Sequence, residues 1–238
     1  MVSLSSVVLL GLVFGLKHAL EADHIAAVAS IASERRSVFG SSLVGAWWGM
    51  GHTVALLGVG VLVILFRVQI SDSVANSLEL GVAAMLVILG ANTLWKLTRA
   101  QQVHVHVHQH GGRVHVHPHL HDRPHADPHG LVEDRHHGIP AQARPFVVGI
   151  VHGLAGSAAL MLLVASTIPS PGLGFVYIGA FGIGSIGGMV AMSALVGLPA
   201  SLTTGRYNRA NVALRVAAGL FSLCVGLAVA YQHTVGLS

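Results

Sequence analysis

Apolar residues come in six long runs along the chain: Val2 to about Ile31, Leu43–Phe66, Leu78–Trp95, Phe146–Ile168, Leu173–Leu198 and Val212–Tyr231. Each run approaches the roughly 20 residues that a helix rising 1.5 Å per residue needs to cross a hydrocarbon core of about 30 Å. The pattern therefore predicts an all-α membrane protein of six transmembrane helices. The first run lacks a basic leading region and outlasts the apolar stretch of a signal peptide, so it reads as a retained helix. Between the third and fourth runs the pattern breaks down. Residues 98–145 are rich in His, Pro, Gly, Arg and Asp, a composition that cannot bury a core and is expected to be disordered. The chain thus divides into a three-span unit (1–97), a His-rich loop (98–145) and a second three-span unit (146–238).

Composition agrees with this division. Hydrophobic residues make up 53% and charged residues 9% of the 238, against about 25% charged in soluble domains. The net charge of +4 is spread by loop. Arg35 and Arg36 follow span one, Lys96, Arg99, Arg113, Arg123, Arg135 and Arg144 flank or occupy the His-rich segment, and Arg206, Arg209 and Arg215 lie near the start of span six. The alternate loops hold only Arg67. By the positive-inside rule the His-rich loop is cytoplasmic and both termini are outside, in a multi-pass protein of the cytoplasmic (inner) membrane. Basic residues so used argue against nucleic acid as a partner and leave the lipid bilayer as the first one. The single cysteine, Cys224, provides neither a disulfide framework nor a thiolate cluster.

The two three-span units resemble each other. At an offset of 134, Val13, Gly15, His18 and Leu20 fall on Val147, Gly149, His152 and Leu154, and Gly45-Ala46-Trp47 falls on Gly179-Ala180-Phe181. At an offset of 136, Leu78 and Gly90 fall on Leu214 and Gly226. An odd number of spans per copy makes the second copy enter from the opposite side, a 3+3 inverted repeat of the kind used by secondary transporters, whose sites lie near the midplane. On that plan His18 and His152 face one another.

Span one carries Lys17, His18, Glu21, Asp23 and His24 in its middle, although each charge at the bilayer centre costs on the order of 2.5–3.5 kcal/mol. On an ideal helix His18, Glu21 and His24 share an arc of about 120°, while Asp23 lies off that face. Using Asp23 together with His24 needs a neighbouring helix between them or a local unwinding. Imidazole plus carboxylate is a ligand set of intermediate hardness, suited to Ni, Co, Zn or Fe(II) and poor for Mg or Ca. The competing reading is an internal Lys17–Glu21 pair with both histidines hydrogen-bonded to neighbouring helices. His52, in the glycine-rich stretch WWGMGHTVALL, and His152 complete a set of four intramembrane histidines; the glycines suit close helix packing.

Twelve of the seventeen histidines lie from His104 to His137. Neutral imidazoles at this density bind divalent transition metals, and His104, His106, His108, His110, His115, His117, His119 and His121 are the accessory metal-buffering residues. Their spacing is too loose for a fixed tetrahedral zinc site.

The H-x-x-x-x-D-H pattern of His18, Asp23 and His24, in KHALEADHI, resembles the signature of the nickel/cobalt transporter family. GMGHTVAL around His52 is similar to that family's second histidine motif. The later L-G-F-D-T motif of the larger, eight-span members is absent, and VHGLAGSAALML around His152 looks like the shorter, six-span, urease-accessory type of nickel transporter. The resemblance implies metal recognition by His18, Asp23 and His24, with His52 contributing, and uptake into the cytoplasm. It favours Asp23 as the metal carboxylate, where ideal helix geometry favours Glu21.

The expected activity is thus secondary transport of Ni2+, with Co2+ as a second cargo, rather than catalysis. The metal is substrate and no cofactor is permanently bound; cytoplasmic metal-accepting proteins are the further expected partners. Efflux is the alternative within transport. From another class, His18, His24, His52 and His152 are candidate axial ligands of haem in an electron-transfer protein. Neither a phosphate-binding G-x-x-x-x-G-K-[ST] loop nor H-E-x-x-H is present. A reporter fused after Ser238 is expected to be active only outside the cytoplasm; activity confined to the cytoplasm reverses the orientation.

Overall fold

A computed structural model describes residues 3–35, 37–100, 104–110, 113–119, 143–155, 167–168, 170–203 and 208–235, with side chains for all of these but 99–100, 104–110, 113–119 and 208. The chain is a helical membrane protein. Its helices are α1 (Leu4–His18), α2 (Ala22–Ala32), α3 (Val38–Phe66), α4 (Asp72–Ala100), α5 (Ala143–Gly153), α6 (Pro171–Thr203) and α7 (Asn208–Val235). Of these, α3, α4, α6 and α7 are long and apolar enough to cross a bilayer. The fourth expected span is helical as α5 to Gly153, and residues 156–166 lie outside the described ones.

The first expected span is corrected: it is two helices, α1 and α2, bent by 61° at the junction. No proline or glycine stands at the break, and Ala, Leu and Glu are good helix formers, so local propensity does not cause it. Leu20 N–H bonds Lys17 O at 3.0 Å and Glu21 N–H bonds His18 O at 3.0 Å, tightening the end of α1. Glu21 then turns extended (φ −68°, ψ 149°) and starts α2 in a new direction. The other histidine-bearing helix ends alike: Ala155 N–H bonds His152 O at 3.1 Å, two residues beyond the end of α5.

Packing follows the glycines. A Cβ at Gly15 would run into the carbonyl oxygen of Phe181 and lie 2.9 Å from Ser185 N, and one at Gly149 would run into the carbonyl oxygen of Trp48 and lie 2.9 Å from His52 N. The absence of that Cβ lets α1 press onto α6 and α5 onto α3. The contacts are reciprocal elsewhere too. Gly184 meets the Leu12 carbonyl as Gly51 meets the Phe146 carbonyl, and Gly90 meets the Gly219 carbonyl as Gly226 meets that of Ala83. First-helix positions pair at an offset of 134 and third-helix positions at 136. Second-helix positions pair at 133, Trp48 with Phe181 and His52 with Ser185, one residue away from the Gly-Ala-Trp/Gly-Ala-Phe match.

The interior of the bundle holds α2, whose His24, Ala26, Ala27, Val28, Ser30 and Ala32 are buried, packed with Trp48, Leu86 and Met189. A second cluster joins Val7, Leu56, Tyr177, Ile178 and Phe181. Outward positions are apolar, including Leu9, Phe39, Ile88, Ile183, Leu195 and Leu227, as a lipid-facing surface requires.

The expected disorder of residues 98–145 is corrected over two stretches. His104–His110 (β1) and Arg113–His119 (β2) form an antiparallel pair. Physically, Val and His alternate there with period two, the β-branched valines favour extended backbone, and the sequence between the strands is Gly-Gly. His121 lies outside the described residues.

Gly15→Val and Gly149→Val are each expected to destabilise the protein by about 1–3 kcal/mol or more through overpacking. Gly58→Ala and Gly179→Ala, where a Cβ meets nothing within 4 Å, are expected to be neutral. Thermal unfolding of the detergent-solubilised variants checks both.

Candidate metal centre

The break in the first span delivers its histidines to one place. His18 is the last residue of α1, His24 lies in the first turn of α2, His52 is near the middle of α3, and His152 is near the end of α5. All four are buried, none above 4% exposed. His24 stands between the helix ends: its ring centroid is 4.3 Å from that of His18 and 4.1 Å from that of His152. His18 and His152 thus converge on a third ring rather than meeting directly.

Carboxylates decide which nitrogens are available. His18 Nδ1 lies 3.0 Å from Glu21 Oε2. His24 Nδ1 lies 3.1 Å from Asp23 Oδ1, and His152 Nε2 lies 2.9 Å from Asp23 Oδ2. A carboxylate only accepts, so each contacted nitrogen carries the proton and the opposite nitrogen keeps its lone pair. The nitrogens left over are His18 Nε2, His24 Nε2 and His152 Nδ1. Among the described residues, His24 Nε2, His152 Nδ1 and His52 Nδ1 have no hydrogen-bond partner. Buried polar atoms without partners are uncommon enough to require a reason.

One ligand atom each from His18, His24 and His52 lie within 4.8 Å of one another, as do those of Asp23, His24 and His152. The two triads share His24. His18 Nε2 and His52 Nε2 are 3.2 Å apart. Buried carboxylate–imidazole pairs of this kind orient metal ligands and raise their basicity.

Asp23 and Glu21 therefore have different settings. Asp23 is partly buried, bridges two histidines and also accepts the His24 N–H at 2.9 Å. As an acidic residue in the first turn of α2 it meets the positive end of the helix dipole. Among the described residues the Glu21 carboxylate pairs with His18, and its side chain is 46% exposed. Lys17 is exposed, and the Glu21 contact made is with His18 rather than with Lys17.

Two aromatic residues escaped sequence reasoning. Trp48 is fully buried with its ring stacked on His24 at 5.5 Å, and Phe181 lies 5.2 Å from His18. Their signal was weak because aromatic residues are ordinary in membrane helices. Ser185 donates to Gly15 O at 3.2 Å, securing the last turn of α1 beside His18.

A cavity of about 420 Å³ opens between α2, α4 and α5, lined among others by Ser30, Glu34, Thr93, Lys96, Arg144 and Val148. It starts one turn of α5 from His152 and less than two turns of α2 from His24. Lys96 Nζ donates to both oxygens of Glu34 at 2.9 and 2.8 Å.

The profile of the NicO family, described as high-affinity nickel-transport protein, matches residues 4–236. The urease accessory protein UreH of Bacillus sp. (strain TB-90) is 35% identical over 237 residues, covering 100% of this chain and 95% of that one. Two Arabidopsis thaliana proteins, chloroplast protein FOR GROWTH AND FERTILITY 2 and 1, are 26% and 25% identical over 96% of this chain, and 57% and 60% of theirs. No solved structure matches.

Asp23→Asn is expected to weaken binding of Ni2+ or Co2+ to the purified protein by about 10–100-fold, the usual loss when a carboxylate behind metal-binding histidines is removed. Glu21→Gln is expected to cost less, since it serves one histidine. Calorimetric titration in detergent measures both; parental affinity in Asp23→Asn removes Asp23 from the centre.

Proposed function

The chain belongs to the NicO family of high-affinity nickel-transport proteins, and from that premise we propose that it is a secondary transporter carrying Ni2+ inward through the histidine cluster, with Co2+ as a second cargo. The observation that carries this reading is the convergence of four buried histidines on two carboxylates. Three of them contact Glu21 or Asp23 through one ring nitrogen, and His52 Nε2 lies 3.2 Å from His18 Nε2. His18, His24, His52 and His152 are the ligands, Asp23 is the carboxylate of the centre, and Glu21 holds His18.

The six spans form a 3+3 inverted repeat in this proposal. The reciprocal glycine contacts, each occurring twice with the roles of the halves exchanged, support it. The positive-inside distribution supports outside termini and a cytoplasmic His-rich segment. Hydrated metal enters from outside and exchanges waters for imidazoles. The two units rock about the centre, and the ion leaves through the cavity at the basic end, where cytoplasmic metal-accepting proteins take it up. Glu34 is the acidic group on that route and Lys96 is its counter-ion. Metal binds only unprotonated nitrogens, so loading and proton movement are linked.

Haem electron transfer is the weaker reading, since His18 and His52 at 3.2 Å leave no width for a porphyrin between them. Efflux uses the same ligands and is separated by phenotype.

Cells expressing the protein are expected to accumulate radioactive nickel and to become more nickel-sensitive. His24→Ala, at equal expression, is expected to reduce accumulation at least tenfold. Unchanged accumulation in that variant rejects the site, and increased nickel tolerance in the parent reverses the direction. Competition by Co2+ tests the second cargo.

A further inference from the structure

The cavity between α2, α4 and α5 has a charge balance that the histidine cluster does not explain. Three cations, Arg35, Lys96 and Arg144, line it together with one carboxylate, Glu34. Lys96 Nζ holds both oxygens of that carboxylate, so the acidic group is already neutralised. Among the described residues no carboxylate pairs with Arg35 or Arg144. Arg144 also stands in the first turn of α5, where the positive end of the helix dipole adds to its charge instead of opposing it. Two guanidinium groups therefore border one space with no side-chain anion, among the described residues, left to balance them.

The same cavity has an apolar wall. Ile31, Leu89 and Val148 contribute to it. Ile88 and Val147, the chain neighbours of Leu89 and Val148, are exposed on the outward surface, so acyl chains packed there reach the edge of the cavity. Trp95, next to Lys96, is exposed as well, and tryptophan collects at the level of lipid headgroups. A volume of about 420 Å³ falls within the range of small-ligand sites, about 300–1,000 Å³.

We propose that this cavity binds the phosphate of an anionic phospholipid headgroup, with Arg35 and Arg144 as the recognising cations and Lys96 kept on Glu34. A guanidinium presents paired N–H donors that match two phosphate oxygens at once, and basic pockets between membrane helices suit such headgroups. Free phosphate shares that chemistry but leaves the apolar wall unused, which favours the lipid. A zwitterionic lipid brings its own cation to a place where two already stand, so the site discriminates against it. A bound phosphate also offsets the positive charge beside the route proposed for the departing metal ion. That consequence rests on the proposed transport, whereas the binding itself does not.

The test offers the purified full-length protein, in detergent, equal amounts of phosphatidylglycerol and phosphatidylcholine and counts bound lipid by native mass spectrometry. The parent is expected to retain phosphatidylglycerol about fivefold or more over phosphatidylcholine. Arg35→Gln/Arg144→Gln is expected to lose that preference, and Arg67→Gln/Arg209→Gln, which removes the same charge away from the cavity, is expected to keep it. Equal loss in the two double variants means general attraction of basic residues to anionic lipid and overturns the site, as does equal retention of the two lipids by the parent. Arg144→Glu changes one exposed side chain and guards against misfolding of the double variant; an undiminished preference there also overturns the proposal. Inorganic phosphate in about tenfold excess is expected to leave phosphatidylglycerol bound, and its displacement overturns the lipid in favour of the free anion. Nickel is absent from every arm, so rejection of the lipid site leaves the transport reading standing, and failure of transport leaves the lipid site to be judged by its own binding.

Discussion

The structure turns on a carboxylate placed where a membrane helix gives way. Asp23 holds His24 with one oxygen and His152 with the other, tying the start of α2 to the end of α5 across 129 residues of chain. An ionised carboxylate inside a membrane bundle is costly. Here it is offset by two imidazole donors, a backbone N–H and the positive end of α2. The same contacts leave His24 Nε2 and His152 Nδ1 with lone pairs and no protein partner. What stabilises the carboxylate is also what leaves those two nitrogens unpaired.

That arrangement depends on helices approaching more closely than ordinary side chains allow. Gly15 sits one turn before His18 and against α6, and Gly149 sits three residues before His152 and against α3. Without a Cβ at either position the two histidine-bearing helix ends can reach the centre of the bundle. In a bilayer, where apolar burial does not drive helices together, such close packing is a principal source of association. Trp48 closes one side of the cluster by stacking on His24, and within it His18 Nε2 meets His52 Nε2 at 3.2 Å.

Much of this was legible in the chain. Hydropathy locates the membrane-capable segments because lipid demands about 20 apolar residues per span. The expense of polar groups in lipid makes Lys17, His18, Glu21, Asp23 and His24 conspicuous, and H-x-x-x-x-D-H, with His52 and His152, marks the residues that converge. The kink at Ala19–Glu21 was not legible. HALEA contains only good helix formers, and an ideal helix places Asp23 off the face of His18 and His24. The hairpin at His104–His119 was hidden by composition. Its Pro, Gly and charge read as disorder, while the Val-His alternation that favours strands occupies only part of the segment.

The sequence by itself determined that the chain lives in a membrane and which of its polar residues are too expensive to be incidental, because these follow from transfer energies and spacing along the chain. Only the tertiary structure placed Asp23 against two histidines and Glu21 against one. Ideal helix geometry had placed Glu21 with the histidines, whereas unwinding at Glu21 turns α2 by 61° and brings Asp23 between His24 and His152. Glu21 is left beside His18. That placement depends on α5 and α3 being packed against the broken helix, and it is a contact between distant parts of the chain that no local pattern encodes.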